Sequence, residues 1–246
     1  MNSQIEQPIL AHGASLARLA EILRFAAVLG NDNDSRPRDA DREIENGRAV
    51  SSPPEAEFEG IVLDLFHLLQ DRAIRYVLVG GVALLRYVPG RNTDDIDLML
   101  AVEALRALPE ILLEERGEWF AKGRFRGLRV DLLFTSNPLF RAVQERYSTA
   151  QKFLELEVPC ATAEGLILLK LYALPSLYRK GDLQRANLYE ADVSALLLAT
   201  HPPMEPLFEV LAGHVSASDL SELRKIAAEA RAREQRFGQG ASRAPV

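Results

Sequence analysis

The run "YVLVGGVALLRYVPGRNTDDIDLML", Tyr76 to Leu100, constrains the fold of this chain more than any other stretch. Tyr76 to Val79 form an apolar run that Gly80-Gly81 interrupts, and the next apolar run carries Asp94, Asp95 and Asp97. A strand buried on both faces has no place for an unpaired carboxylate, because taking that charge out of water is costly unless the group is paired or its pKa shifts. The acids must therefore sit at an exposed strand end or face a cation. Asp95 and Asp97 are two residues apart. On a strand both would emerge on one face, with Cα atoms about 6.5–7 Å apart. Asp94 falls on the other face with Ile96, where a turn or cap suits it, and Thr93 suits a bond to the turn backbone.

Asp131, in "LRVDLLF", repeats the pattern of an acid between apolar neighbours on a later strand. If the two strands are neighbours, three carboxylates converge. Two readings are open. Arg91, Arg124, Arg126 and Arg129 could pair with strand-end acids as structural ion pairs. Alternatively, a hard divalent cation binds through the carboxylates and through substrate phosphates. The ordered spacing favours the second reading, with Mg²⁺ as the cation and Mn²⁺ as its substitute. Gly80 and Gly81 permit a tight turn after the strand, and without a Cβ the backbone there can approach a phosphate closely.

The rest of the chain reads as a mixed α/β protein. Residues 9–29 have apolar positions at helical spacing, and residues 31–57 are too polar and charged to build a core, which predicts an N-terminal helix (1–30) and a disordered linker (31–57). A helix over "FEGIVLDLFHLLQDR" leads into a buried-type strand "IRYVLVG", a short helix "VALLRYV" and the strand "DIDLML". "VEALRALPEILLEER" reads as a helix kinked at Pro109, "EWFAKGRFRGLRVDLLF" as two strands, and "KFLELEVPCA" as a weaker one. Four helical segments follow. The expected architecture is a small, mixed, twisted sheet flanked by helices (58–160), then a C-terminal helical domain (161–236) and a flexible tail (237–246).

Composition excludes several classes. Of the residues 48% are hydrophobic and 26% charged, as in ordinary globular proteins, and the formal net charge of -6 draws no polyanion globally. Cys160 is the only cysteine, so no intramolecular disulfide forms. No run reads as a signal peptide or a membrane span, and the expected setting is cytoplasmic. The four histidines and Cys160 lack zinc-ligand spacing, and neither a P-loop nor a serine-hydrolase elbow is present. Trp119 reads as ordinary core. One segment could track an RNA backbone: Arg116, Lys122, Arg124, Arg126 and Arg129 with Phe120 and Phe125 interleaved; a solvated hairpin face fits it equally.

The diglycine, the thirteen residues after it, Asp95-Ile96-Asp97 and the distal Asp131 resemble the active-site signature of the DNA polymerase beta-like nucleotidyltransferase superfamily. "GRNTDDIDL" also resembles the Arg-x-Thr-x-Asp-x-Asp form of its minimal and AbiEii-type toxin members, which implies that Arg91 is a nucleotide-binding residue. The resemblance implies that Asp95 and Asp97 bind two Mg²⁺ ions, with Asp131 completing one site. It also implies that Gly80-Gly81 holds the triphosphate of an NTP such as ATP. "AEGLILLKLYA" resembles the lysine-bearing helix of AbiEii-type proteins, which places Lys170 against the triphosphate; the alternative is a lysine that snorkels to the surface. Downstream, Arg179, Asp182, Arg185 and Asp192 depart from the usual spacing. The implied activity is magnesium-dependent transfer of a nucleoside monophosphate to an acceptor hydroxyl on a tRNA or RNA end, a protein or a small molecule. A toxin role with a cognate antitoxin partner goes with it. The rival is a silent nucleotidyltransferase-fold antitoxin, adaptor or regulator.

Overall fold

The computed structural model describes residues 55–88, 93, 95–153 and 156–238. The expected N-terminal helix, Arg91, Asp94 and most of the linker lie outside the described residues, as does the tail beyond residue 238. A first helix, α1 (Glu55–Asp71), leads into strand β1 (Tyr76–Val79), a short helix α2 (Gly80–Leu84) and strand β2 (Asp95–Leu100). Leu65, Phe66 and Leu69 turn one side of α1 into the core. All four residues of β1 are buried, as its continuous apolar run requires of a strand covered on both faces.

The segment read as a kinked helix is a correction. Val102–Ala107 is a single 3₁₀ segment, and after Pro109 the chain becomes strand β3 (Ile111–Arg116). Leu112 to Arg116 carry good helix formers, but the strand sits at the sheet edge, where only Ile111 is buried and pairing with the next strand decides its conformation. Strands β4 (Phe120–Phe125) and β5 (Leu128–Phe134) form the expected hairpin, turned by Arg126 and Gly127 at positive φ. Helix α3 (Pro138–Arg146) was not foreseen. The Asn137 side chain accepts from the amides of Leu139 and Phe140, and Pro138 stands in the first turn, a strong local start signal. The single weak strand expected over residues 152–161 is instead two, β6 (Ser148–Phe153) and β7 (Leu156–Ala161), paired antiparallel.

Among the described residues, seven strands form one mixed sheet in the order β3-β4-β5-β2-β1-β7-β6. β2 runs parallel to β5 and antiparallel to β1, while β1 runs parallel to β7. Four helices follow: α4 (Ala163–Lys180), α5 (Leu183–Thr200), α6 (Met204–Ala212) and α7 (Ala217–Gly238). Thr162 caps α4 by accepting from the Gly165 amide, and Gly181 at φ 71° ends it. Asp182 then caps α5 by accepting from the Arg185 amide. The stretch from Arg179 to Arg185 is thus two helix ends around a tight turn. Leu166, Ile167, Leu171 and Leu174 of α4 join Val193, Leu196 and Leu197 of α5 in the same core as the sheet. Among the described residues no helix is long and apolar enough to cross a membrane.

Candidate active site

Register places the acids. In the parallel pair β2·β5, Asp97 lies opposite Asp131 and Asp95 opposite Arg129; across β4·β5, Asp131 lies opposite Lys122. Neighbouring strands are about 4.8 Å apart and directly opposed residues share a face, so the three carboxylates and two cations occupy one face of the sheet. The two acid-bearing strands are therefore neighbours, the condition on which the expected convergence depended.

Each carboxylate is held differently. Thr93, buried at 8% exposure, donates from Oγ1 to Asp95 Oδ1 at 2.9 Å, so its main partner is the carboxylate rather than the turn backbone expected for it. Arg129 stands 3.7 Å from Asp95 Oδ2. Among the described residues no three acidic, histidine or cysteine side chains are gathered tightly enough to grip an ion as they stand. Asp97 is partly buried, and its carboxyl is pushed up to about 7, first by burial, then by the charges of Asp95 and Asp131. Lys170 and a hydrogen bond from the Gly81 amide oppose that rise. The Asp131 carboxyl is also raised, by burial and then by Asp95, against Lys122, Arg129 and Arg185.

The two glycines have a steric role beyond the one expected for them. Gly80 has φ 66°, and a Cβ there would sit 1.8 Å from Asp97 Oδ2. A Cβ on Gly81 would meet Thr93 Oγ1 at 2.5 Å. The diglycine thus leaves room for the carboxylate and for the threonine that orients its neighbour.

Lys170 does not snorkel. It is 6% exposed, ion-paired with Asp192 at 2.7 Å, and lies 4.3 Å from the Tyr189 ring centroid. The pair joins α4 to α5 and keeps a cation close enough to Asp97 to act on its ionisation. Asp192, whose altered spacing left its role open, is the anchor of Lys170. Spacing alone could not find it, because 22 residues and a helix turn separate the two.

A cleft of about 810 Å³ opens beside these groups, with Gly80, Asp97 and Lys170 in its wall. Trp119 and Phe120 line it at 42% and 38% exposure, so Trp119 is not core, as its sequence context implied. The basic segment around β4 is largely neutralised: Lys122 pairs with Glu115, Arg124 with Glu114 and Arg126 with Asp64. Positive charge gathers instead at the cleft, where Arg179, Lys180 and Arg185 join Lys170.

No protein-family model and no curated protein matches the chain. Among solved structures it is similar to an antigenic nucleotidyltransferase-like protein from Paracoccidioides brasiliensis, at 18% identity and a TM-score of 0.42, over 70% of this chain and 93% of that one. It is also similar to ANT(2'')-Ia in complex with adenylyl-2''-tobramycin, at 14% identity and a TM-score of 0.44, over 72% and 98% of the two chains. The solution structure of the antibiotic-resistance factor ANT(2'')-Ia aligns at 13% identity and a TM-score of 0.41, over 77% and 99%.

Proposed function

We propose that this protein is a nucleotidyltransferase that moves a nucleoside monophosphate from an NTP to an acceptor hydroxyl. One arrangement carries the reading: Asp97 packs against the Gly80-Gly81 turn and stands in register with Asp131, with Asp95 on the same face. A fold needing only ion pairs has no reason to hold an acid whose pKa is driven up by burial and by like charges.

The donor set suits Mg²⁺: three hard carboxylate oxygens, no thiolate or imidazole, and acids short of positive charge. Asp95, Asp97 and Asp131 would hold it. When bound, two such ions would neutralise the triphosphate and lower the pKa of the attacking hydroxyl. The protein's own groups do the rest. Gly80 leaves the backbone open beside Asp97, and Thr93 sets the orientation of Asp95. Lys170, steadied by Asp192, directs positive charge into the cleft. Asp131, its basicity raised by burial, takes the hydroxyl proton. The acceptor oxygen forms a bond to the α-phosphorus as the bond to the bridging oxygen breaks, and pyrophosphate leaves with that electron pair.

Incubating the full chain with each NTP labelled in the α-phosphate, Mg²⁺ or Mn²⁺, and total RNA or lysate tests the reading. Label should enter an acceptor with wild type and not with Asp97→Asn or Asp131→Asn. Transfer by either variant at a rate near that of wild type would refute it. A toxin role and an antitoxin partner belong to the same proposal; a Mg²⁺-dependent block of translation, absent in Asp97→Asn, would support them.

A further inference from the structure

The cleft carries charge that the proposed reaction does not use. Lys170, Arg179, Lys180 and Arg185 line it against only Asp97 and Asp219, a surplus of two positive charges in a chain whose net charge is -6. Two of the cations are already committed: Lys170 to Asp192, and Arg179 to Asp219 at 3.0 Å. Lys180 and Arg185 are exposed, and among the described residues neither meets an acid at ion-pair distance. They flank the Gly181 turn between α4 and α5, so the turn carries both to the same wall. Arg185 is near enough to Asp131 for its charge to act on that carboxyl. Trp119 and Phe120, exposed and lining the same cleft, offer flat apolar rings.

Free cations and exposed aromatic rings in the wall of one cleft match a ligand that has phosphate and a planar base. They also oppose a polycation, because the unpaired charges would repel it and the two acids in the cleft wall are taken, Asp219 by Arg179 and Asp97 by the proposed metal site. The cleft lies at the upper end of the range of about 300–1,000 Å³ typical of ligand sites, with room for more than one compact ring. Resting on the reaction proposed above, we infer that the acceptor is a nucleotide end, a phosphate-bearing nucleoside with a free hydroxyl, selected by Lys180 and Arg185 and stacked against Phe120 and Trp119. The basic β4 segment, its cations bound to Glu114, Glu115 and Asp64, is not the contact surface.

Trp119 is the only tryptophan in the chain, so its fluorescence reports on the cleft without a label. The full chain, saturated with a non-hydrolysable NTP and Mg²⁺, is titrated with a short single-stranded oligoribonucleotide, a nucleoside monophosphate, and tobramycin as the polycation, across a salt series. The oligoribonucleotide should quench Trp119, with an affinity that falls steeply with salt. In Lys180→Gln/Arg185→Gln, both exposed positions, the slope of log affinity against log salt should flatten by about 1.4, at about 0.7 per phosphate contact on a single strand. Phe120→Ala should weaken binding by about 5- to 150-fold, the range for losing one stacked base. Equal affinity for the monophosphate would support the assignment with a free nucleotide as the source. Quenching by tobramycin alone, no response to either phosphate-bearing ligand, or an unchanged salt slope in the double variant would overturn it. Pyrophosphate release is scored separately with hydrolysable NTPs and the oligoribonucleotide: its absence alongside salt-dependent quenching would overturn the reaction and leave the cleft as a nucleotide-end binding site.

Discussion

Replacing Asp97 with Asn should stabilise the metal-free protein and remove most of the pH dependence of its stability above pH 4. Asn has nearly the same shape and can still accept the hydrogen bond from the Gly81 amide, so the change removes charge and little else. In the unfolded chain the Asp97 carboxyl ionises near 3.8, and in the fold near 7. Between these values the folded protein holds a proton that the unfolded chain has lost. Unfolding then releases a proton, and stability falls as pH rises, levelling off once pH passes the folded value. A rise of this size corresponds to at most about 4 kcal/mol, at 1.36 kcal/mol per pH unit. Because Asp97 is only partly buried, screening by water should leave about 1–3 kcal/mol. Urea unfolding from pH 4 to 9 in chelator-treated buffer measures it. Wild type should lose stability through that range, with Asp131 adding in the same direction, and Asp97→Asn should lose clearly less and exceed wild type at pH 8. Parallel pH profiles, or a variant less stable at pH 8, would mean that Asp97 is a satisfied structural ion pair.

Gly80→Ala should destabilise the protein by about 2 kcal/mol or more, since an L-residue at positive φ costs about 1–2 kcal/mol and its Cβ must also displace the Asp97 carboxylate. For a chain of this size that lowers the melting temperature by at least about 4–8 °C. Lys170→Met and Asp192→Leu should each cost about 3–5 kcal/mol by leaving one buried charge alone, whereas the double variant should recover most of the loss. A double-mutant cycle in denaturant reads that coupling, and additive losses would show that the pair is not a unit. Mg²⁺ with a non-hydrolysable NTP should raise the melting temperature by more than the two separate effects combined, since phosphate oxygens complete the ion's coordination. Thermal scans with each ligand alone and together decide it, and equal stabilisation by zinc would count against a hard-cation site.

Much of the site was legible one residue at a time. The apolar run ending in diglycine, the i and i+2 acids and the later apolar-Asp-apolar motif are local patterns, and local backbone geometry alone puts Asp95 and Asp97 on one face of a strand. The edge strand β3 was not legible, because its exposed Leu-Leu-Glu-Glu-Arg run has helix propensity and only the partner strand β4 holds it extended. Trp119 gave the opposite error: tryptophan is usually core, and nothing in its neighbourhood says that it faces a cleft walled by α4 and α5. Lys170 read as either a surface lysine or a phosphate contact. Only the packing of α5 on α4 brings Asp192 to within 2.7 Å and keeps the cation buried. The same holds for charge. Sequence shows a basic run from Arg116 to Arg129, but strand register and the approach of α1 give Lys122, Arg124 and Arg126 their acids, while Lys180 and Arg185, at two helix ends, keep theirs unspent. Periodicity and turn chemistry act over a few residues and are written in the chain. Which strand meets which, and which charge is left over, depends on contacts between residues far apart in it, and those exist only once the sheet has closed on its helices.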